Sequence, residues 1–125
     1  MNTKRLYLSG PISGHDLEER RKAFKKVQKQ FEETGWTVFN PLENGLSAEA
    51  DTHEHMHRDL AVLTNEEIPF EAIYMMEGWL HSAGCKLEFD VATSIGLDVI
   101  FAVTVEDVSG DISGDISCFA LTKFK

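Results

Sequence analysis

The sequence predicts an α/β domain of the doubly wound, three-layer type, flavodoxin-like or Rossmann-like, with a four- to five-stranded and mostly parallel sheet. Three observations lead there. Short apolar runs alternate with longer stretches of helical periodicity, an order that builds a parallel sheet covered by helices on both faces. The run Glu71-Ala72-Ile73-Tyr74-Met75-Met76 is apolar without alternation, as a central strand buried on both sides must be. Gly10-Pro11, Asn40-Pro41 and Gly78 punctuate the strand ends, where such sheets bind ligands.

The 125 residues are 42% hydrophobic, enough for one domain over 1–125, with a core over 1–104 and an acidic Gly/Asp/Ser tail over 105–125. Twenty-one acids against 12 bases give a net charge of −9, which argues against a nucleic-acid partner or an anionic membrane surface. Cys85 and Cys118 show no paired or metal-type spacing. Reduced thiols, and so a cytoplasmic location, are the expectation. No apolar run is long enough to span a bilayer, and Met1 to Arg5 lead straight into a strand without a signal-peptide core.

Arg5 to Ser9 form the first strand, ending in Gly10-Pro11-Ile12-Ser13-Gly14, a turn whose amides can approach a ligand closely. It matches neither a Walker loop nor the dinucleotide glycine pattern, so alone it reads as a plain strand-to-helix turn. A helix follows from Asp16, its N-cap, to about Thr34, stopped by Gly35, with Leu17, Phe24, Val27 and Phe31 as the buried stripe. Arg20 falls inside that stripe and Arg21 at its edge. Either guanidinium clamps a phosphate held by the preceding loop, or the stems lie along the core with their heads in water. Trp36 to Phe39 form the second strand. The acidic segment from Leu42 to Thr52 reads as a lid, as disorder, or as both.

The second helix spans about Thr52 to Thr64 with Met56, Leu60 and Leu63 buried, and Asp59 bordering that stripe. Its start satisfies His-Glu-x-x-His through His53, Glu54 and His57, but at a helix entrance in a small chain this argues more for adventitious metal binding than for a zinc protease. After Ile68-Pro69 come the third strand, the glycine-led segment Gly78 to Gly96, and a fourth strand from Leu97 to Val103. The tail repeats Ser-Gly-Asp-Ile and ends in a segment, from Cys118, that reads as a fifth strand or a strap. Its spacing does not fit an EF-hand.

Wound as a helix from Ala83, the segment places Gly84, Cys85, Leu87, Val91, Ala92 and Ile95 on one arc, and Glu88 falls inside it. A carboxylate there is a capping-type acid tied to the first turn, or it has a task. Tyr7, Asp59 and Glu88 are expected to face a common pocket at the carboxyl edge of the sheet.

Tyr7-Leu8-Ser9-Gly10-Pro11-Ile12, Asn40-Pro41, Met56-x-Arg58-Asp59-Leu60 and Gly78-Trp79-x-x-Ser82-x-Gly84-x-x-x-Glu88, in this order, resemble the nucleoside 2-deoxyribosyltransferase-like superfamily, especially its short phage and bacterial branch. The likeness runs from Arg5 to Phe101. Where that branch usually carries Cys-Asp, this chain has Phe70-Glu71 after an apparent insertion over 65–69. The resemblance implies an enzyme of the bond between a base and deoxyribose, acting on deoxynucleosides or their 5′-monophosphates, with no metal or organic cofactor. It implies Glu88 at the anomeric carbon, Asp59 assisting, and Tyr7 fixing the direction of Glu88. Substrate and phosphate contacts are implied along Gly10, Pro11, Ile12 and Ser13, and at Arg20, Asn40, Ser82 and Gly84. A homo-oligomer is implied as well, to which Phe119, Leu121 and Phe124 add an apolar hint. A protein that binds a nucleotide in the same pocket without catalysis is the alternative from another class.

Overall fold

The two central strands are apolar where both of their faces are covered, Leu6 to Ser9 and Ala72 to Met75 being buried throughout. In the computed structural model, which describes residues 4–12, 14–43, 52–103 and 118–123, the elements run β1 (Lys4–Ser9), α1 (Leu17–Glu32), β2 (Trp36–Phe39), α2 (Thr52–Leu63), β3 (Ala72–Met75), α3 (Ala83–Ser94), β4 (Asp98–Val103) and β5 (Cys118–Lys123). Single 3-10 turns lie at Pro41–Glu43 and Trp79–His81. The sheet order is β2-β1-β3-β4-β5, parallel throughout except for β5, which pairs antiparallel with β4. This is the flavodoxin-like strand order, whose switch point lies between β1 and β3.

Side-chain parity sorts the core into two layers. On one face Leu6, Leu8, Ala72, Tyr74, Met76 and Ile100 pack against Phe24, Val27 and Phe31 of α1. On the other Tyr7, Ile73, Met75 and Val99 pack against Leu63 of α2 and Cys85 and Ala92 of α3. Register fixes the consequence: Tyr7 lies beside Ile73 and Ser9 beside Met75, so the Tyr7 and Ser9 side chains both leave β1 on the face that α2 and α3 cover.

The helix boundaries follow their caps. Asp16 accepts from the amides of Glu18 and Glu19 at 2.9 and 3.3 Å, and Gly35 ends the helix region with a φ of +98° that suits glycine alone. Ser82 caps α3 by accepting from the Cys85 amide at 3.2 Å.

The apolar arc expected on α3 is corrected by the structure. Leu87 is 43% exposed and Ile95 49%, while Cys85, Glu88 and Ala92 are the buried residues. The helix is turned by Phe89, whose ring packs against Trp79 at 4.9 Å and Phe101 at 6.1 Å between centroids. Leu17 of α1 is likewise only half-buried. The Leu42 to Thr52 loop, beyond Glu43, lies outside the described residues up to the start of α2, as do Ser13, Phe124 and the Ser-Gly-Asp-Ile repeat.

Gly10 closes the gap between layers at the end of β1. A Cβ there would sit 2.8 Å from Met76 Sδ and 3.0 Å from both Met76 Cβ and Phe24 Cζ. The Met76 amide meanwhile donates to the Ser9 carbonyl at 2.8 Å, which holds the two strand ends together. Gly10→Ala is therefore expected to lower stability by about 1–3 kcal/mol through overpacking. Urea denaturation measures this, and an unchanged midpoint would contradict the close approach.

Candidate active site

At the switch point the chain leaves a cavity of about 570 Å³, within the size range of small-ligand pockets. The β1–α1 connection contributes Gly10, Pro11, Ile12 and His15, and the first turns of α1 contribute Leu17, Arg20 and Arg21. Pro41 and Leu42 add a short apolar edge after β2, and α2 presents His55, Met56 and Asp59. The connection after β3 gives Glu77, Gly78, His81 and Ser82, and α3 gives Ala83, Gly84, Cys85 and Glu88. Two glycines shape the passage. Gly78 takes a φ of +89°, and a Cβ at Gly84 would meet Met56 Cε at 2.9 Å, so α2 lies close over the start of α3.

Glu88 lines this cavity while being only 6% exposed. It is the sixth residue of α3, beyond the first turn, and Ser82 already fills the cap. The capping reading is therefore replaced by another. Both carboxylate oxygens are held from β1: the Tyr7 hydroxyl donates to Oε2, and the Ser9 hydroxyl donates to Oε1 at 2.7 Å. Neither donor reaches the cavity surface, since both residues are fully buried behind Glu88. Tyr7 is itself fixed between Phe39, stacked at 5.2 Å, and Phe70, edge-on at 5.6 Å. Phe70 thus packs the ring that orients the glutamate.

Burial raises the Glu88 carboxyl to about 7; the two hydroxyl donors oppose that rise and the charge of Asp59 adds to it. Hydrogen bonds to the ionised form favour it, but here loss of water outweighs them. Burial also lifts the Tyr7 hydroxyl well above its ordinary value, with the Glu88 charge adding to this, so the phenol stays a donor. The Cys85 thiol is raised by burial too, and stays a thiol near neutrality.

Asp59 shares the cavity and is 7% exposed, more enclosed than an edge position implied. Gly10, Pro11, Ile12, Arg20, Ser82 and Gly84 all line it. Arg20 lays its guanidinium 5.3 Å from the Phe24 ring, and its buried Nε has no hydrogen-bond partner among the described residues. Arg21 pairs loosely with Glu18, at 3.9 Å on an exposed surface. Asn40 is the site residue that the structure moves elsewhere. Its amide donates to Gln28 Oε1 at 3.2 Å and its oxygen accepts from the Leu42 amide at 2.9 Å, so it shapes the turn after β2 and does not line the cavity.

Ser9 and His55 escape the sequence reading, although two signals point to them. Ser9 is two residues from Tyr7 on a strand and so shares its face; His55 is four residues before Asp59 on a helix and so shares its stripe. The other histidines of that run, His53 and His57, are exposed, and among the described residues no three His, Cys, Asp or Glu side chains group to hold a metal ion.

These features define a flavodoxin-like α/β domain with a ligand-sized cavity at its switch point and a buried acid in that cavity. Residues 4–101 match the model of a family described as a domain of unknown function, DUF4406, and the chain belongs to that family. No curated protein matches it. Among the described residues no helix is long and apolar enough to cross a membrane.

Glu88 sets a testable dependence of stability on pH. Its folded value, near 7, lies above the ordinary glutamate value of about 4.3. The folded state therefore binds the extra proton, and this contribution is present below pH 4 and lost as pH rises through 7. The loss is on the order of 3 kcal/mol. Glu88→Gln should accordingly be the more stable protein at pH 8 by about 1–3 kcal/mol, with the advantage fading by pH 5. Paired denaturation curves at the two pH values check this, and a variant less stable than wild type at pH 8 contradicts it.

Proposed function

We propose that the protein is an N-glycosidic bond enzyme acting on deoxynucleosides or deoxynucleoside 5′-monophosphates, by base release or base exchange. The observation that carries this reading is the Glu88 carboxylate, which lines a ligand-sized cavity with both oxygens anchored from behind by Tyr7 and Ser9. The resemblance to the nucleoside 2-deoxyribosyltransferase-like superfamily supplies the reaction class.

Departure of a base leaves positive charge on C1′, which a fixed carboxylate stabilises and can trap as a glycosyl-enzyme. Anchoring matters because the attacking oxygen must meet the carbon within a narrow angle. The Tyr7 and Ser9 hydroxyls leave the carboxylate one orientation, so these two position Glu88 without touching substrate. Asp59, in the same cavity, orients the sugar hydroxyl or assists the leaving base. Arg20, His15 and the start of α3 at Ala83 and Gly84 line the same cavity and give an acidic chain a cationic contribution suited to a 5′-phosphate. Water as acceptor makes the enzyme a hydrolase and a second base makes it a transferase; neither route needs a metal or organic cofactor. On this reading the protein works in the cytoplasm as a homo-oligomer, for which exposed Leu80, Leu87 and Ile95 offer apolar surface.

The test is chromatography of the four deoxynucleosides and their 5′-monophosphates after incubation with wild type and Glu88→Gln. Free base is expected from at least one substrate, with a loss of 10³-fold or more in the variant. The rate should climb with pH through about 7 as Glu88 ionises. Saturable binding with no base released over long incubation would instead mark a nucleotide-binding protein, and undiminished turnover by Glu88→Gln would remove the assignment.

A further inference from the structure

We propose that His55 is the proton donor to the departing base, a role that leaves Asp59 to hold the sugar. This rests on the glycosidic reading of the same cavity and goes beyond it by separating the two tasks that a second acid would otherwise combine.

The argument starts from placement. His55 and Asp59 are four residues apart on α2 and both line the cavity. Four residues advance a helix by roughly 6 Å, about the reach of a base beyond its sugar ring. Asp59 is nearly enclosed and close enough to Glu88 for its charge to act on that carboxyl, which puts it at the sugar. His55 is half-buried one turn away, where the base would project. The cavity's other two histidines, His15 and His81, are exposed, and His15 lies on the Arg20 side.

Chemistry then selects His55. A base leaves as a poor anion unless a ring nitrogen or carbonyl oxygen is protonated as the bond breaks. A donor must therefore sit away from Glu88, which attacks the opposite face of C1′. Arginine cannot give up its proton, whereas imidazole exchanges one near neutrality. On its own helix the charged and titratable residues beside it in sequence are His53, Glu54, His57, Arg58 and Asp59, and the cavity it lines also holds Glu88 and Cys85 on α3 and Glu77 and His81 after β3. Arg20, Arg21 and His15 line the same cavity from the β1–α1 side.

The steps balance. The C1′–N bond breaks with its electron pair going to the base, His55 delivers a proton to that base, and a Glu88 oxygen bonds C1′. Water then attacks C1′, the C1′–O bond to Glu88 breaks with its pair returning to the carboxylate, and the water proton passes to His55. The imidazolium is thereby restored.

The experiment compares wild type with His55→Gln on the best natural deoxynucleotide and on 7-methyl-2′-deoxyguanosine 5′-monophosphate, whose cationic base needs no proton to leave. The expected loss is about 10²-fold or more on the natural substrate. On the methylated one it should be less than threefold. Equal losses on both substrates, or unchanged turnover, each overturn the role of His55 while leaving Glu88 in place. A wild type that releases base from neither substrate overturns the glycosidic reading itself, and this role with it.

Discussion

The structure turns on one arrangement: a glutamate on a helix, stripped of water, whose two oxygens are gripped by hydroxyls from the neighbouring strand. Glu88 without Tyr7 and Ser9 would be a buried charge with nothing to offset its loss of hydration. With them it remains costly, since its carboxyl is raised to about 7 even so. A chain that needed only a well-packed α3 would carry an apolar residue at this position. Retaining an acid there sacrifices stability for a directed carboxylate, which is a common mark of a functional site.

The rest of the fold delivers that arrangement. Two-residue periodicity sends Tyr7 and Ser9 to the same side of β1 while Leu6 and Leu8 fill the opposite layer. The β1–β3 register and the bond from the Met76 amide to Ser9 carry the strand order to the edge where chain direction diverges. Glycines at 10, 78 and 84 then permit backbone, α2 and α3 to approach without filling the space between them. The cavity is thus a consequence of topology, and its polar residues are what this sequence adds.

Much of this was legible before any coordinates. Alternating periodicity gave the layers, Asp16 and Gly35 gave the limits of α1, and an acid in an apolar arc singled out Glu88. What failed was local. The arc on α3 was drawn around Leu87 and Ile95 because hydropathy cannot tell that Phe89 will join the Trp79 and Phe101 rings and turn the helix. Asn40 was expected at the ligand only on the strength of the resemblance, whereas its side-chain amide bonds Gln28 and Leu42. Ser9 was read only as the last residue of the first strand, because the tertiary partner alone gives its hydroxyl a purpose.

The most direct test of the central claim needs no substrate. Carbon-13 NMR of the glutamate side-chain carboxyls, with Glu88→Gln to assign the resonance, follows the ionisation of Glu88 against pH. A midpoint near 7 is predicted by a carboxylate enclosed behind the cavity and held by two hydroxyls. A midpoint in the ordinary range, about 4.3, would mean a hydrated side chain and would contradict the account.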